Sequence, residues 1–514
     1  MNKKILISII VVLILLAGMI IYIILLKPPV PRPHINTFEE CVKAGYPALG
    51  SYPRQCKTPD GRKFTEREDS PTPIPKPSPS PAPQPAPLAI SPFGIMAAFA
   101  PSTLTTIRAA DKIAWAGEKF RDLGAKWSRS VGETIIWGII EPELGKGYDW
   151  SNSDEVLKKA YENGGENFNM VVVISPPRFK GDNPDIPLDE ENYYSKFVEE
   201  LVERYDGDGI NDYDSIIKVK YWQMENEPFP WQWENRGGTI DGYVKFAELT
   251  HNAIKKSDPN AKIILGTFQF ETTEEVNEFK EVISKMRNKN LFDYADTHYW
   301  GARTNYKIPI GEAKSILDSN GYSNAKMVAL EFGTTVRKAT EKDQANYLIK
   351  GYAYNIAHGF SLINWNNLVE WKDFGRPGGM FNYMGLIADG ENGDPIPAGT
   401  PRLSYFTYKK MTETLEESDW DNIQTIQESD GVYVYKFNKN GKSIWVAWYD
   451  NAVSQPITLD VNNKRAKITE TVPKYDLGKD VTDYNSAFNS YVQVPKDGKI
   501  SITLEDSPVF VEEQ

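Results

Sequence analysis

Histidine and cysteine are scarce. Four His (His34, His251, His298, His358) and two Cys are scattered through 514 residues, so a His/Cys zinc site and an iron–sulfur cluster both lack ligands. Basic charge is not in excess either. Lys plus Arg number 58 against 70 Asp plus Glu, a formal net charge of -12, and the footprint that draws a phosphate backbone is missing. Nucleic acid is therefore not an expected partner. The first candidate strand is followed by Ala100-Pro101-Ser102 instead of a glycine-rich phosphate turn, so no nucleotide fingerprint is visible. No metal or cofactor is expected, and carboxylates must carry the chemistry. What the chain does have is rings: aromatics reach 12%, with 13 Trp and 27 Tyr, in enough residues for two or three domains.

Residues 1–33 read as a cytoplasmic end, a transmembrane signal anchor and a short Pro-rich junction. The run Ile5 to Leu26 is apolar except for Ser8, Gly18 and Tyr22, which is long enough to span a bilayer. Its length and the lack of a small-residue cleavage site favour an uncleaved anchor over a cleaved signal. Lys3 and Lys4 hold the amino end in the cytoplasm, although Lys27 and Arg32 weaken that bias. Residues 34–70 form a small module whose Cys41 and Cys56 are the only cysteines, and a disulfide between them is expected, with two free thiols as the alternative. Closing such a loop is worth about 3 kcal/mol to a module too small to bury much apolar area. A bridge implies an oxidising compartment, hence a single-pass cell-membrane protein with the rest of the chain extracytoplasmic. Residues 71–88 are a Pro-rich linker, and Pro71 to Pro87 alone spans roughly 50 Å as polyproline II.

Residues 89–418 alternate β-branched runs with helical spacing. Candidate strands are Phe93–Ala98, Lys126–Val131, Asn169–Ile174, Ile217–Met224, Lys262–Thr267, Tyr294–Tyr299, Lys326–Glu331 and Phe360–Trp365. Glu191–Tyr205, Gly242–Lys256, Thr273–Met286 and Glu341–Ala357 have helical periodicity. Eight βα units predict a closed (β/α)8 TIM barrel with its site at the carboxyl ends of the strands, ahead of a doubly wound open sheet. From 419 to 514 short alternating strands, including the hairpin Val432–Phe437, Asn438-Lys439-Asn440-Gly441, Ser443–Trp448, predict a β-sandwich. Trp445 and Tyr449 could bind carbohydrate there, but a structural role is the simpler reading.

Two strand ends carry glutamate. The fourth ends Tyr221-Trp222-Gln223-Met224-Glu225-Asn226-Glu227-Pro228, and the seventh ends Leu330-Glu331-Phe332-Gly333. A lone strand-end Glu is ordinarily a capping or ion-paired group. Two at the carboxyl ends of one barrel are the facing carboxylates that glycosidic cleavage requires.

At these positions the sequence resembles the clan-A retaining glycoside hydrolases, nearest to family 39 and family 5-like members. Trp127-Ser128-Arg129 is similar to the clan's arginine position. Trp137 with Ile140-Glu141-Pro142-Glu143 and Gly147-Tyr148-Asp149-Trp150 resembles the segment that follows it, and Met384-Gly385-Leu386-Ile387 with Pro401-Arg402 resembles the exit from the barrel. The resemblance covers roughly Phe93 to the C-terminus. It implies Glu227 as acid/base, following Asn226, and Glu331 as nucleophile. It further implies Arg129 and Asn226 positioning the nucleophile and the sugar 2-hydroxyl, His298 beside them, and Trp300 and Trp365 as substrate-binding walls, while Trp231, just after the acid/base, and Trp137 are candidate walls because indole packs on the apolar C–H faces of sugars. For each Trp ordinary burial is the competing reading. The clan often has Tyr two positions after the histidine, where this chain has Trp300. Glu225 competes with Glu227, since on a regular strand both point to the same side.

The implied activity is retaining hydrolysis of O-glycosidic bonds in oligo- or polysaccharides by double displacement, with the charge on Glu331 raising the pKa of Glu227. A surface transglycosylase and a non-catalytic glycan-binding or adhesion protein on a degenerate barrel are the alternatives.

Overall fold

A computed structural model of the chain describes residues 37–65, apart from 45, 47, 50–54 and 59, and residues 90–514, apart from 108–110, 131–134, 176–191, 230–232, 302–304, 372–378, 391–395, 452 and 463. The expected anchor, the Pro-rich linker and Trp231 lie outside the described residues. Among the described residues no helix is long and apolar enough to cross a membrane. The chain divides into two compact units, Met1–Ala86 and Pro87–Gln514.

In the first unit a short helix, Phe38–Lys43, begins at Thr37, whose hydroxyl accepts from the Glu40 N–H. Three short antiparallel strands follow: β1 (Ala48–Leu49), β2 (Gln55–Lys57) and β3 (Lys63–Thr65). A disulfide joins Cys41 on the helix to Cys56 on β2. Among the described residues the core of this unit is the two buried cysteines and Phe38, flanked by Ala44, Tyr46 and Phe64, a core small enough to need a covalent tie.

The second unit holds a closed parallel barrel of β4 (Phe93–Met96), β5 (Trp127–Arg129), β6 (Asn169–Ile174), β7 (Tyr221–Met224), β8 (Lys262–Leu265), β9 (Tyr294–Tyr299), β10 (Lys326–Phe332) and β11 (Phe360–Trp365). Each strand pairs with the next, and β11 returns to β4. Helices lie between the strands. Glu341–Ala357 starts with a reciprocal cap in which the Thr340 hydroxyl accepts from the Asp343 N–H and the Asp343 carboxylate accepts from the Thr340 N–H.

Alternation along the strands separates two cores. Val172, Trp222, Ile263 and Ile363 face outward and pack with helix residues such as Phe197, Phe246 and Tyr352. Their strand neighbours Val171, Tyr221, Ile264 and Leu362 face inward and join Trp127, Tyr294, Val328 and Leu330 in a separate apolar layer in the amino half of the lumen. Covered on both faces, these strands read as continuous apolar runs.

The C-terminal region is a β-sandwich. One sheet has the order β12 (Gln424–Ser429), β13 (Val432–Lys439), β14 (Lys442–Tyr449), β19 (Val509–Glu513), β16 (Ala466–Glu470), β17 (Ser490–Gln493); the other pairs β15 (Gln455–Asp460) with β18 (Lys499–Leu504). The β13–β14 hairpin turns on Asn440 and Gly441, both with positive φ, the geometry that an Asn-Gly pair supplies. Along β14, Ile444, Val446 and Trp448 join the barrel's core, while Trp445 and Ala447 pack inside the sandwich against residues such as Ile500 and Leu504. Trp445 is thus structural. Lys350, buried on the Glu341–Ala357 helix, ties the barrel to the sandwich through Asp450 at 2.7 Å and Asp506 at 2.6 Å.

Candidate active site

The carboxyl half of the lumen is polar. Arg129, at the end of β5 and 2% exposed, spreads its fork over three partners. Its Nε donates to Gln223 Oε1 at 2.7 Å, Nη1 to Glu331 Oε1 at 2.9 Å and Nη2 to Asn226 Oδ1 at 2.6 Å. One planar cation therefore fixes side chains from the fourth and seventh barrel strands relative to each other.

Glu331 owes its direction to a bulge. Val328 and Leu330 both pack in the inner apolar layer, so an unbroken pleat would send Glu331 outward to the helices. The pairing of β10 shifts register between Val328 and Glu331 against β9, and between Ala329 and Phe332 against β11. The Leu330 N–H donates to Asp296 Oδ1 at 2.8 Å instead of to a strand carbonyl. The extra residue turns Glu331 into the lumen and Phe332 out onto Tyr347 and Trp365.

The fourth strand separates its two glutamates differently. Regular pleat ends at Met224, and Glu225 (φ 68°) and Glu227 (φ 45°) both take left-handed backbone. The expectation that they share one side of a strand is therefore corrected. Glu225 turns to Ser175, whose hydroxyl donates to its Oε1 at 2.7 Å, and accepts its own neighbour's Asn226 N–H at 2.8 Å. Burial pushes its carboxyl up to about 7, against the pull of those two hydrogen bonds. Glu227 turns instead to His298.

His298 is the electrostatic centre. Its Nδ1 lies 2.9 Å from Glu227 Oε1 and 3.6 Å from Glu331 Oε1, and its Nε2 lies 3.0 Å from Thr267 Oγ1 and 3.3 Å from Asp296 Oδ2. Asp296 also accepts from Thr267 at 2.6 Å and from Gln223 at 2.7 Å. Burial alone would lower the imidazole's pKa, but the charges of Glu331 and Asp296 and the bonds to Asp296 and Glu227 outweigh it and raise it to about 10. Despite its burial, Glu227 is held below the ordinary carboxylate value by this imidazolium and by Arg129. Burial pushes Glu331 up, further than His298 and Arg129 draw it down. The expected elevation of Glu227 by Glu331 is thereby reversed, because a cation stands between the two. Three carboxylates converge on Arg129 and His298, and their charges favour a proton on the imidazole. The two oxygens nearest Nδ1 can be no farther apart than 2.9 and 3.6 Å laid end to end, which reaches only the bottom of the roughly 6.5–9.5 Å gap that inverting glycosidases keep for a water.

The tryptophans divide. Trp300 is half-buried beside the site, its ring 5.5 Å from His298 and edge-on to Phe381 at 5.3 Å, with an indole N–H that has no protein partner. Trp365 faces the other way: it is fully buried in the helix layer against Tyr347, with its N–H donated to Met384 O at 3.0 Å, so the expected wall has no open face. Strand parity is the reason, since Leu362 points inward and Trp365 three residues later must point outward. Trp137 is likewise buried, bonded to Glu141 at 2.6 Å and stacked on Phe197, and packs rather than binds. Tyr299 faces the helix layer and does not replace the clan's tyrosine. Gln223, Thr267 and Asn366 enter the site without having been singled out from the sequence. A polar residue interrupting an apolar barrel strand, as Gln223 does, is the signal that could have found the first.

Concavity alone would mislead. A cavity of about 570 Å³ opens at the amino end of the barrel, walled by Trp127, Tyr221, Ile264, Tyr294 and Trp420, and it holds none of the polar layer's groups.

No family model matches the sequence, and no curated protein matches it. Among solved structures the chain is similar to a family 39 glycoside hydrolase from the gut symbiont Bacteroides cellulosilyticus WH2, at 15% identity and a TM-score of 0.55 over 78% of each chain. It is similar also to a glucosidase from Croceicoccus marinus, at 11% identity and a TM-score of 0.53, over 82% of this chain and 95% of that one. The chain has the (β/α)8 fold of these glycoside hydrolases.

Proposed function

We propose that the chain is a retaining glycoside hydrolase that cleaves O-glycosidic bonds of oligo- or polysaccharides by double displacement. The observation that carries this reading is the convergence of Glu227 and Glu331, from the fourth and seventh barrel strands, on a single histidine nitrogen at 2.9 and 3.6 Å. Glu331, fixed by Arg129, attacks the anomeric carbon. The departing oxygen takes one proton, which His298 Nδ1 passes to Glu227 along their hydrogen bond and Glu227 delivers, so that Glu227 is left a carboxylate. Glycosylation turns Glu331 into a neutral ester and leaves His298 neutral. Glu227, now a carboxylate, draws a proton from water as the water attacks the ester, and the proton returns to His298. Asn226, whose Oδ1 is held by Arg129, has its amide N–H groups for the sugar 2-hydroxyl.

Proton NMR of the first product released from a polysaccharide panel tests the reading. Retained anomeric configuration is expected, and inverted configuration would overturn it. The proposal includes a single-pass anchor with the barrel outside the cytoplasm, a reading that the Cys41–Cys56 bridge supports. Thiol labelling of protein from intact cells should find no free cysteine without reductant; two reactive thiols would remove that support.

A further inference from the structure

Asp296, fully buried on β9, serves two strands at once. Asp296 pairs with Val328 and His298 with Glu331, so two steps along β9 face three along β10. In that gap the Leu330 N–H turns to a side chain, Asp296 Oδ1 at 2.8 Å. A buried N–H left without an acceptor is costly, so this carboxylate is what lets the bulge stand. The other oxygen, Oδ2, accepts from Thr267 Oγ1 at 2.6 Å and from Gln223 Nε2 at 2.7 Å and lies 3.3 Å from His298 Nε2. Gln223 in turn accepts from Arg129. The bulge, Arg129 and His298, which together place Glu331 and Glu227, all lead back to one carboxylate. The titratable groups facing it are His298 from β9 itself, Arg129 from β5, Glu227 beyond β7, Glu331 from β10 and Tyr243 from the helix Ile240–Ser257; the segment after β8 brings Thr267, which is uncharged.

We propose that Asp296 is a positioning residue for both glutamates: through Oδ1 it sets the bulge that aims Glu331 at the anomeric carbon, and through Oδ2 it holds the imidazole of His298 against Glu227. The role needs no access to substrate, which suits a buried side chain. Its two arms depend on different physics. The first is a hydrogen bond from a backbone N–H and needs an acceptor in place. The second is a negative charge that favours a proton on the imidazole. The inference rests on the hydrolase reading above.

The test uses the full chain and two aryl glycosides, a phenyl glycoside whose leaving group needs the proton and a dinitrophenyl glycoside whose leaving group does not. Asp296→Asn keeps an acceptor for Leu330 and loses the charge. On the phenyl glycoside its alkaline limb in kcat/KM should move down by about one pH unit or more, because the imidazole gives up its proton sooner. On the dinitrophenyl glycoside, measured below that limb, it should stay within about threefold of the parent. Asp296→Ala loses both arms: the limb should move in the same way, and kcat/KM on the dinitrophenyl glycoside should fall about ten- to a hundred-fold as Glu331 loses its aim. With His298→Asn already present, Asp296→Asn should move the limb no further. An unmoved limb in Asp296→Asn, a further movement beside His298→Asn, or an undiminished dinitrophenyl rate in Asp296→Ala overturns the assignment. Asp296→Ser, one bond shorter, is read for both arms where either variant fails to fold. Glu331→Gln separates the two levels. If it stays active, or if the unaltered chain cleaves no glycoside, the hydrolase reading falls and this inference with it. If Glu331→Gln is dead while the Asp296 variants show neither change, only the inference falls.

Discussion

The two halves of the barrel lumen use the same strands and the same inward parity, yet Trp127, Val171, Ile264, Val328 and Leu362 fill one half and Arg129, Gln223, Asp296, His298, Glu331 and Asn366 the other. On β5 the change takes two residues, from Trp127 to Arg129; on β9 it runs from Tyr294 to Asp296. The lower layer is apolar contact, which needs only volume and shape. The upper layer is a set of buried charges in which each carboxylate has a named donor, and their mutual attraction does little more than offset the cost of burying them. Stability and chemistry are therefore separable along the barrel axis, and substitutions in the two halves should fail in different assays.

Glu331→Gln gives the largest expected effect, a loss of turnover of about 10⁴-fold or more with a melting temperature close to the parent's, read by steady-state kinetics beside calorimetry. A melting temperature that collapses with activity would merge the two halves. Next is His298→Asn. In the parent, activity should fall on the alkaline side as His298, raised to about 10, gives up its proton, and on the acid side as Glu331, raised by burial, takes one. Without the imidazole the alkaline limb depends on Glu227 alone and should move down by several pH units in a profile of kcat/KM; an unmoved limb would remove His298 from the proton path. Ile264→Ala, in the lower half, should cost about 2–4 kcal/mol of stability in denaturant titrations and leave kcat within about twofold.

The smallest effect belongs to Glu225→Gln. With a folded pKa of about 7 against 4.5, the protonated form favours folding, and that contribution is lost as pH rises from 4.5 through 7. The Gln variant should therefore be more stable than the parent at pH 8, by up to about 3 kcal/mol, and similar at pH 4, with activity kept. A loss of activity with azide rescue would move the acid role to Glu225.

Much of the barrel was legible because its strands are short apolar runs between helical periods: Asn169–Ile174, Tyr294–Tyr299 and Phe360–Trp365 have the bounds read from sequence, as does the helix Glu341–Ala357 with its Thr340 cap. What escaped depends on single backbone departures. No residue type announces the bulge that turns Glu331 inward, nor the left-handed φ that parts Glu225 from Glu227. Trp365 was misread because a motif position carries no parity until the inward residues, here Leu362 and Asn366, are known. The electrostatics of His298 were hidden for another reason: Asp296 and Thr267, which lie against its Nε2, come from separate segments and meet only in the closed barrel.

The most direct measurement is rapid-quench mass spectrometry of Glu227→Gln with a dinitrophenyl glycoside, whose leaving group needs no proton. One equivalent of dinitrophenolate should be released in a burst, the sugar should be found on the peptide carrying Glu331, and added azide should free it as a glycosyl azide. A burst with the sugar on another residue, or no labelled peptide from a glycoside that the parent cleaves, would contradict the assignment of Glu331 as nucleophile and Glu227 as acid/base.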